Sequence, residues 1–190
     1  LWGGSRAFVS GKAVLPTALA ETADALAEEG KTPLFFALEG VSLGLIAVAD
    51  TLREDSVAAI AQLKAMGLRV VMLTGDNRRT AAAIGRAAGV DEVIAQVLPA
   101  EKEAAIRALQ TAGKTAMVGD GINDAPALAF ANVGVSLGGR QTDIAAESSA
   151  VTIRSEDPGE LMTALQLVRR TMNLIHQNFM ATLTVNSAAM

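Results

Sequence analysis

The stretch Val118-Gly119-Asp120-Gly121-Ile122-Asn123-Asp124-Ala125-Pro126 decides which fold the sequence predicts. It follows an apolar strand candidate and opens a helix candidate. Its two carboxylates stand four residues apart, with glycines that permit a tight turn and a close approach to the backbone. Hard carboxylate oxygens suit Mg²⁺, which proteins hold with one or two carboxylates plus phosphate and water. The plainer alternative is an Asp-Gly turn with an aspartate helix cap, but the full string favours a metal and phosphate site.

Outward from this stretch, strand-like and helix-like segments alternate from residue 50 to residue 153. This alternation predicts an α/β fold with a doubly wound parallel sheet, whose ligands bind beyond the carboxyl ends of the strands. The strand candidates are 69–73, 92–95, 114–118, 132–136 and 150–153, and the helix candidates are 56–66, 77–88, 99–111 and 125–130.

A second strand end carries Thr74-Gly75-Asp76, directly before a helix candidate. The free N–H groups of a helix N-terminus favour phosphate, and the Thr74 hydroxyl adds a donor. Taken alone, the segment is equally typical of a helix cap by Asp76 or Asn77. Lys102, on the helix after Leu98-Pro99, is a candidate point charge for a phosphoryl group, although a lone helix lysine is ordinarily a solvated charge.

Asp50 and Arg53 lie where the alternating region begins. They are compatible with a helix N-terminal aspartate and its arginine partner three residues on. The alternative is a hinge near the phosphate site.

The sequence pattern of residues 1–48 predicts a small α+β unit. They contain a strand candidate at 7–10, a helix candidate at 17–29 and a hairpin around Glu39-Gly40.

The C-terminal region differs again. A helix over 159–179 carries one apolar stripe and leads into an uncharged run that is too short to cross a bilayer. It is interpreted either as an amphipathic core helix or as a helix leading to the membrane, the latter favoured by the preceding basic residues. The whole chain is expected to be an internal piece of a longer protein.

The composition excludes several classes of protein. The chain has 190 residues, with 16 Lys+Arg against 20 Asp+Glu and a net charge of -4. No basic block offers phosphate neutralisation, so nucleic-acid binding is not expected. The 51% hydrophobic content excludes disorder, and the lack of cysteine excludes a disulfide scaffold.

Together the motifs resemble the phosphorylation domain of P-type ATPases. Thr74-Gly75-Asp76, then Lys102, then the loop 119–126 occur in the family's order. The amino-acid sequences of these motifs are most similar to those of the heavy-metal-transporting branch. The resemblance implies the haloacid dehalogenase fold and three parts. Residues 1–48 would be the C-terminal part of a nucleotide-binding domain, 49–157 the phosphorylation domain, and 158–190 a connecting helix with the start of a membrane segment.

The resemblance also implies roles for individual residues. Thr74 would bind the transferred phosphoryl group in a loop shaped by Gly75 and Asp76. Lys102 would offset its charge, and Asn123 would contact its oxygens. The magnesium ligands would be Asp120 and Asp124, and the further cofactor-binding candidates are Gly119, Gly121, Asp50 and Arg53.

The function implied is the cytoplasmic, ATP-hydrolysing part of a membrane-bound heavy-metal cation pump, with ATP and Mg²⁺ as cofactors. The family's aspartate nucleophile, in an Asp-Lys-Thr-Gly-Thr segment, does not occur in this sequence. It would lie upstream, so the chain alone is expected to be inactive. The alternatives are a soluble phosphatase of the same superfamily and a non-catalytic nucleotide or Mg²⁺-binding module.

Overall fold

A computed structural model describes residues 1–49, 52–119, 124–138, 147–155 and 157–188. Within these ranges, strands and helices alternate over most of the chain. The strands are β1 (Trp2–Gly4), β2 (Thr32–Leu38), β3 (Val41–Val48), β4 (Val71–Leu73), β5 (Glu92–Ile94), β6 (Ala116–Gly119), β7 (Val133–Leu137) and β8 (Val151–Ile153). The helices are α1 (Arg6–Ser10), α2 (Thr17–Glu28), α3 (Glu54–Ala65), α4 (Arg78–Ala88), α5 (Lys102–Gln110), α6 (Ala125–Phe130) and α7 (Pro158–Ala188), with a 3₁₀ turn at Pro99–Glu101.

The N-terminal unit is an antiparallel sheet in the order β1-β2-β3, covered by α1 and α2. The predicted hairpin is confirmed, since β2 and β3 are joined at Glu39-Gly40. Both turn residues have positive φ, 48° and 83°, which suits a tight two-residue hairpin. Buried Val9 and Phe35 anchor the core of this unit.

The predicted strand at 7–10 is wrong, because these residues belong to helix α1. The hydroxyl of Ser5 caps the helix by accepting from the Phe8 N–H at 3.3 Å. Val9 is fully buried in the core of the N-terminal unit. One turn of capped helix therefore points the apolar residue inward, where a strand was expected.

The alternating region has the α/β fold that the sequence predicts. Strands β4 and β5 pair in parallel, and β6, β7 and β8 form a second parallel sheet in sequence order. Leu73, at the end of β4, packs against a core cluster that includes Ile106, Met117 and Leu128. This contact joins the two sheets, and the carboxyl ends of β4, β5 and β6 carry the loops that the sequence singled out.

Helix α7 is 31 residues long and packs against α3 near its start. Leu161 and Met162 are buried there, and the Arg169 guanidinium donates to the Met66 carbonyl at 3.3 Å. Apolar side chains from Leu167 to Val185 are exposed. In the part of the chain described, no helix combines the length and the apolar character that crossing a membrane requires.

Candidate active site at the carboxyl ends of the strands

Thr74, Gly75 and Asp76 form a closed turn directly after β4. The Thr74 hydroxyl donates to Asp76 Oδ2 at 2.9 Å and accepts from the Asp76 N–H at 3.2 Å. Asn77 then caps α4 by accepting from the N–H groups of Arg79 and Thr80. Gly75 is exposed at the tip of the turn. The turn therefore presents backbone at a helix N-terminus, the arrangement that favours an anion.

The loop after β5 is joined to this turn through the backbone. The Thr74 N–H donates to the Ile94 carbonyl at 3.0 Å, and its carbonyl accepts from the Val97 N–H at 3.1 Å. The backbone N–H of Gln96 donates to the Asp76 carbonyl at 3.0 Å. It does so from a left-handed conformation with φ of 62°, which is uncommon outside glycine. The two loops at neighbouring strand ends are thus held as one surface.

This second loop leads into the helix that carries Lys102. The Glu101 carboxylate accepts from the Leu98 N–H at 3.0 Å, and Pro99 occupies the first position of the 3₁₀ turn. These caps set the direction in which the chain enters α5. Lys102, as the first residue of α5, therefore starts from a fixed backbone position.

Lys102 and Asp124 form an ion pair between two of the predicted site segments. The Lys102 ammonium lies 2.5 Å from Asp124 Oδ1, and the two side chains are 16% and 14% exposed. A charge removed from water to this degree needs its partner. The pair therefore ties the start of α5, after β5, to the start of α6, after β6.

Gly119, the last residue of β6, leaves room for this carboxylate. A Cβ at position 119 would lie 2.7 Å from Asp124 Oδ2 and 3.2 Å from Asp124 Cβ. The absence of a side chain at Gly119 is thus what lets Asp124 fold back over the strand end. The aspartate backbone carbonyl meanwhile accepts from the Leu128 N–H at 2.9 Å and so begins α6.

The structure brings six of the predicted site residues to the carboxyl ends of β4, β5 and β6. They are Thr74, Gly75, Asp76, Lys102, Gly119 and Asp124. Arg53 takes part in a different contact, an exposed ion pair with Asp55 at 3.4 Å. The remaining predicted site residues, Asp50, Asp120, Gly121 and Asn123, lie outside the described residues.

Among the described side chains, Asp124 is a ligand of the type that magnesium prefers, because it offers a hard carboxylate oxygen at a strand end. Its Oδ1 is paired with Lys102. Among the described residues, no group of three or more histidine, aspartate or glutamate side chains could hold a metal ion.

The other end of the β4–β5 pair holds an unrelated charged group. Asp91 accepts from Lys64 at 2.8 Å and from the Val70 N–H at 2.8 Å. The hydrogen bond from Lys64, followed by that from Val70, lowers the pKa of Asp91 below its ordinary value of 3.8. This ion pair precedes β5, whereas the candidate site follows it, so its role is structural.

Two residues whose hydrogen bonds stabilise the candidate site were not predicted from the sequence. Gln96 joins the loops through its backbone, which leaves no signal in its side-chain type. Thr80 is buried and accepts a hydrogen bond from the Asn77 side chain. The spacing of a helix cap and a hydroxyl three residues later was the available signal for Thr80.

Comparison with known proteins identifies the family of the chain. The family model described as haloacid dehalogenase-like hydrolase matches residues 2–132. The copper-exporting P-type ATPase of Bacillus subtilis is 46% identical over 185 residues, which cover 97% of this chain and 23% of that protein. The probable copper-exporting P-type ATPase V of Mycobacterium tuberculosis (strain H37Rv) is 45% identical over 177 residues, or 93% of this chain and 23% of that protein.

A solved structure gives the same result. The chain matches a zinc-transporting PIB-type ATPase in the E2.Pi state with a TM-score of 0.71 and 39% identity. The match covers 89% of this chain and 28% of that one, so the chain spans less than a third of the length of each of these three relatives. The chain therefore belongs to the haloacid dehalogenase-like hydrolases, and the resemblance of its motifs to those of heavy-metal P-type ATPases is confirmed.

Proposed function

We propose that this chain is part of the cytoplasmic, ATP-hydrolysing region of a heavy-metal-transporting P-type ATPase. The γ-phosphoryl group of ATP would pass to an aspartate that lies outside this chain. In this proposal, residues 1–48 complete a nucleotide-binding domain and 49–157 form the phosphorylation domain. Residues 158–190 then connect that domain to the membrane.

The observation that carries the proposal is the ion pair of Lys102 and Asp124. Its atoms lie 2.5 Å apart, largely removed from solvent, between the ends of β5 and β6. Phosphoryl transfer depends mainly on positioning and on stabilising charge. A largely buried lysine whose only described ionic partner is one carboxylate retains donors that can turn to phosphoryl oxygens.

The Thr74 turn supplies the second set of donors. Its hydroxyl now donates to Asp76, and a phosphoryl oxygen would compete for the same proton. The exposed Gly75 backbone precedes a helix N-terminus, whose dipole favours negative charge. We propose that Thr74 binds the transferred group while Asp76 holds the threonine rotamer, and that Asn123 contacts further oxygens.

For the cofactors, we propose Mg²⁺ and ATP. Asp120 would be the principal metal ligand, and Asp124 would support it while remaining paired with Lys102. Gly119 and Gly121 would allow the close approach. When bound, Mg²⁺ would neutralise charge on the phosphoryl oxygens. Asp50 and Arg53 are retained as candidates for a hinge before α3.

We place the missing nucleophile on a strand between β4 and β6. In the ranges that the structure describes, β4 pairs with β5 alone and β6 with β7 alone, so each has a free edge. Unpaired strand edges readily take up another strand. Both edges end at the candidate site, so an aspartate at the end of that strand would face Thr74 and Lys102.

The transported ion is proposed to be a heavy-metal cation bound outside this chain. The relatives' names specify copper for two and zinc for another, which leaves the metal open between them. The exposed apolar side chains of α7 support a course toward the membrane, as do its basic residues Arg169 and Arg170.

The test uses the longer protein that contains this chain. Incubation with γ-labelled ATP and Mg²⁺ is expected to give an acid-stable phosphoenzyme that hydroxylamine cleaves, as an acyl phosphate requires. Lys102→Met is expected to abolish it, whereas the exposed Lys114→Met control is expected to retain it. Magnesium-dependent hydrolysis of phosphate monoesters without any phosphorylation by ATP would instead indicate a phosphatase and contradict the proposal.

A further inference from the structure

Thr80 joins the N-terminal unit to the helix that follows the Thr74 turn. Its side chain is 1% exposed, and its hydroxyl donates to the Lys31 carbonyl at 2.8 Å. The same hydroxyl accepts from Asn77 Nδ2 at 2.8 Å. Both of its hydrogen-bonding roles are therefore used in one buried contact that spans 49 residues of sequence.

The Lys31 carbonyl is held in place by the end of α2. Gly30 has a φ of 83°, and the Lys31 N–H donates back to the Leu26 carbonyl at 3.0 Å. This is the pattern of a glycine-terminated helix. A Cβ at Gly30 would lie 3.7 Å from Ile84 of α4, so the helix end sits directly against α4.

An exposed ion pair reinforces the same contact. Arg79 lies 2.6 Å from Asp24 of α2, and Arg6 of α1 lies 3.3 Å from the same oxygen. These side chains are between 38% and 53% exposed, and pairs of this kind contribute little on their own. The buried hydroxyl of Thr80 is therefore the specific element of the contact.

Asn77 continues the contact to the candidate site. Its Oδ1 accepts from the N–H groups of Arg79 and Thr80 at 3.1 and 3.0 Å, while its Nδ2 donates to Thr80. Asn77 directly follows Asp76, the partner of the Thr74 hydroxyl. The side chains of Asn77 and Thr80 thus form a continuous path from the Thr74 turn to the N-terminal unit.

We propose that Thr80 is a positioning residue, which fixes the nucleotide-binding unit relative to the phosphate-binding turn through Lys31 and Asn77. This inference rests on the proposed function. In that reaction the γ-phosphoryl group must reach Thr74 from a nucleotide held by the other unit. The contact would then hold the two units at the separation that in-line transfer requires, while a hinge before α3 still lets them part at other stages of the reaction.

The experiment compares Thr80→Val with Thr80→Ser in the longer protein that contains this chain. Valine keeps the shape but leaves the Lys31 carbonyl and the Asn77 amide unpaired. We expect amide hydrogen exchange to rise about tenfold in residues 26–33 and 74–81, and the phosphorylation rate constant to fall about tenfold. The KM for ATP is expected to stay within about twofold, because no adenine contact is removed. Serine should restore both values.

Thr22→Val is the matched control, since the exposed Thr22 hydroxyl donates to the Ala18 carbonyl of its own helix and, within the described ranges, to no other group. It should leave the amide exchange of both segments and the phosphorylation rate unchanged.

If Thr80→Val does not fold, Asp24→Asn weakens the same contact from outside and should raise exchange in both segments by a smaller factor. Exchange at the wild-type level in either segment, or an unchanged rate in a folded Thr80→Val protein, would overturn the proposal. Absence of any wild-type phosphoenzyme would reject the proposed function instead, while the exchange result would still decide whether Thr80 couples the two units.

Discussion

The ammonium group of Lys102 lies 2.5 Å from Asp124 Oδ1, and each is the only described ionic partner of the other. The two residues are separated by 22 positions and start successive helices, α5 and α6. Both side chains are largely buried, so removing either one would leave the charge of the other without its partner. The pair is therefore both a structural tie between two strand ends and the candidate charge at the phosphoryl site.

Removing one member of this pair should cost more stability than removing both charges. Lys102→Met leaves a buried carboxylate without its partner, and we expect the free energy of unfolding to fall by about 2–4 kcal/mol. The double variant Lys102→Met/Asp124→Asn should recover at least half of that loss, because no lone charge remains. Urea unfolding followed by circular dichroism measures both values.

Glu103→Gln is the control for this comparison. Its ion pair with Arg107 lies on the same helix but is more exposed, at 34% and 57% for the two side chains. We expect a loss of about 0.5 kcal/mol or less. Equal losses for Lys102→Met and Glu103→Gln would show that the Lys102 pair is not the buried interaction described.

The close approach of Asp124 to Gly119 gives a second prediction. In Gly119→Ala, the new Cβ would lie 2.7 Å from Asp124 Oδ2, so the carboxylate must move away from Lys102. We expect a loss of about 1–3 kcal/mol in the free energy of unfolding. The loss should shrink when Lys102 is already methionine, because the ion pair is then absent.

Gly113→Ala is the matched control, since a Cβ there meets no atom within 4 Å. Its effect should stay within about 0.5 kcal/mol. A Gly119→Ala protein as stable as Gly113→Ala would mean that the fold tolerates a side chain beneath Asp124.

Several elements could be predicted from sequence because local chemistry specifies them. The hairpin at Glu39-Gly40 and the Asn77 cap of α4 are set by neighbouring residues, and the structure has both. The alternation of strands and helices likewise gave the correct fold class. Each candidate loop could be recognised because a strand end and a helix start flank it.

Other features depend on contacts distant in sequence, which no local pattern encodes. Lys102 and Asp124 were each singled out, but not as partners, since the orientation of α5 against α6 decides that contact. The short helix α1 was missed because burial of Val9 in the N-terminal core outweighs its β propensity. The left-handed Gln96 has no sequence signal at all.

The ion pair of Asp91 predicts how stability changes with acid. Its pKa is lowered in the folded protein by hydrogen bonds from Lys64 and Val70, so folding favours the ionised form. The ionised Asp91 therefore stabilises the fold at pH values above about 3.8, the pKa of the group in the unfolded chain. This contribution disappears as the pH falls through the lower pKa of the folded protein. Asp91→Asn should therefore be less stable than the wild type at pH 6, and the gap should narrow below pH 3.8.

Urea unfolding of both proteins across this pH range measures the gap directly. Other carboxylates change both proteins alike, so the difference isolates Asp91. A gap that stays constant from pH 6 to the acid limit of folding would contradict the ionic origin of the contact.

The Thr74 hydroxyl provides the last prediction, because its role in the site and its role in stability can be separated. Thr74→Val removes both its donation to Asp76 and its acceptance of the Asp76 N–H. The half-buried turn should lose only about 1 kcal/mol of stability.

Phosphoenzyme formation in the longer protein should fall about a hundredfold, since a donor to the phosphoryl group is lost. Thr74→Ser, which keeps the hydroxyl, should remain within about threefold of wild type. Thr115→Val serves as the control, because Thr115 flanks β6 at its amino end, away from the site. Its hydroxyl donates to the Gly113 carbonyl, the one partner it has among the residues that the structure describes. If the Thr74 and Thr115 variants phosphorylate at the same rate, the hydroxyl of Thr74 stabilises the turn and does not bind the transferred group.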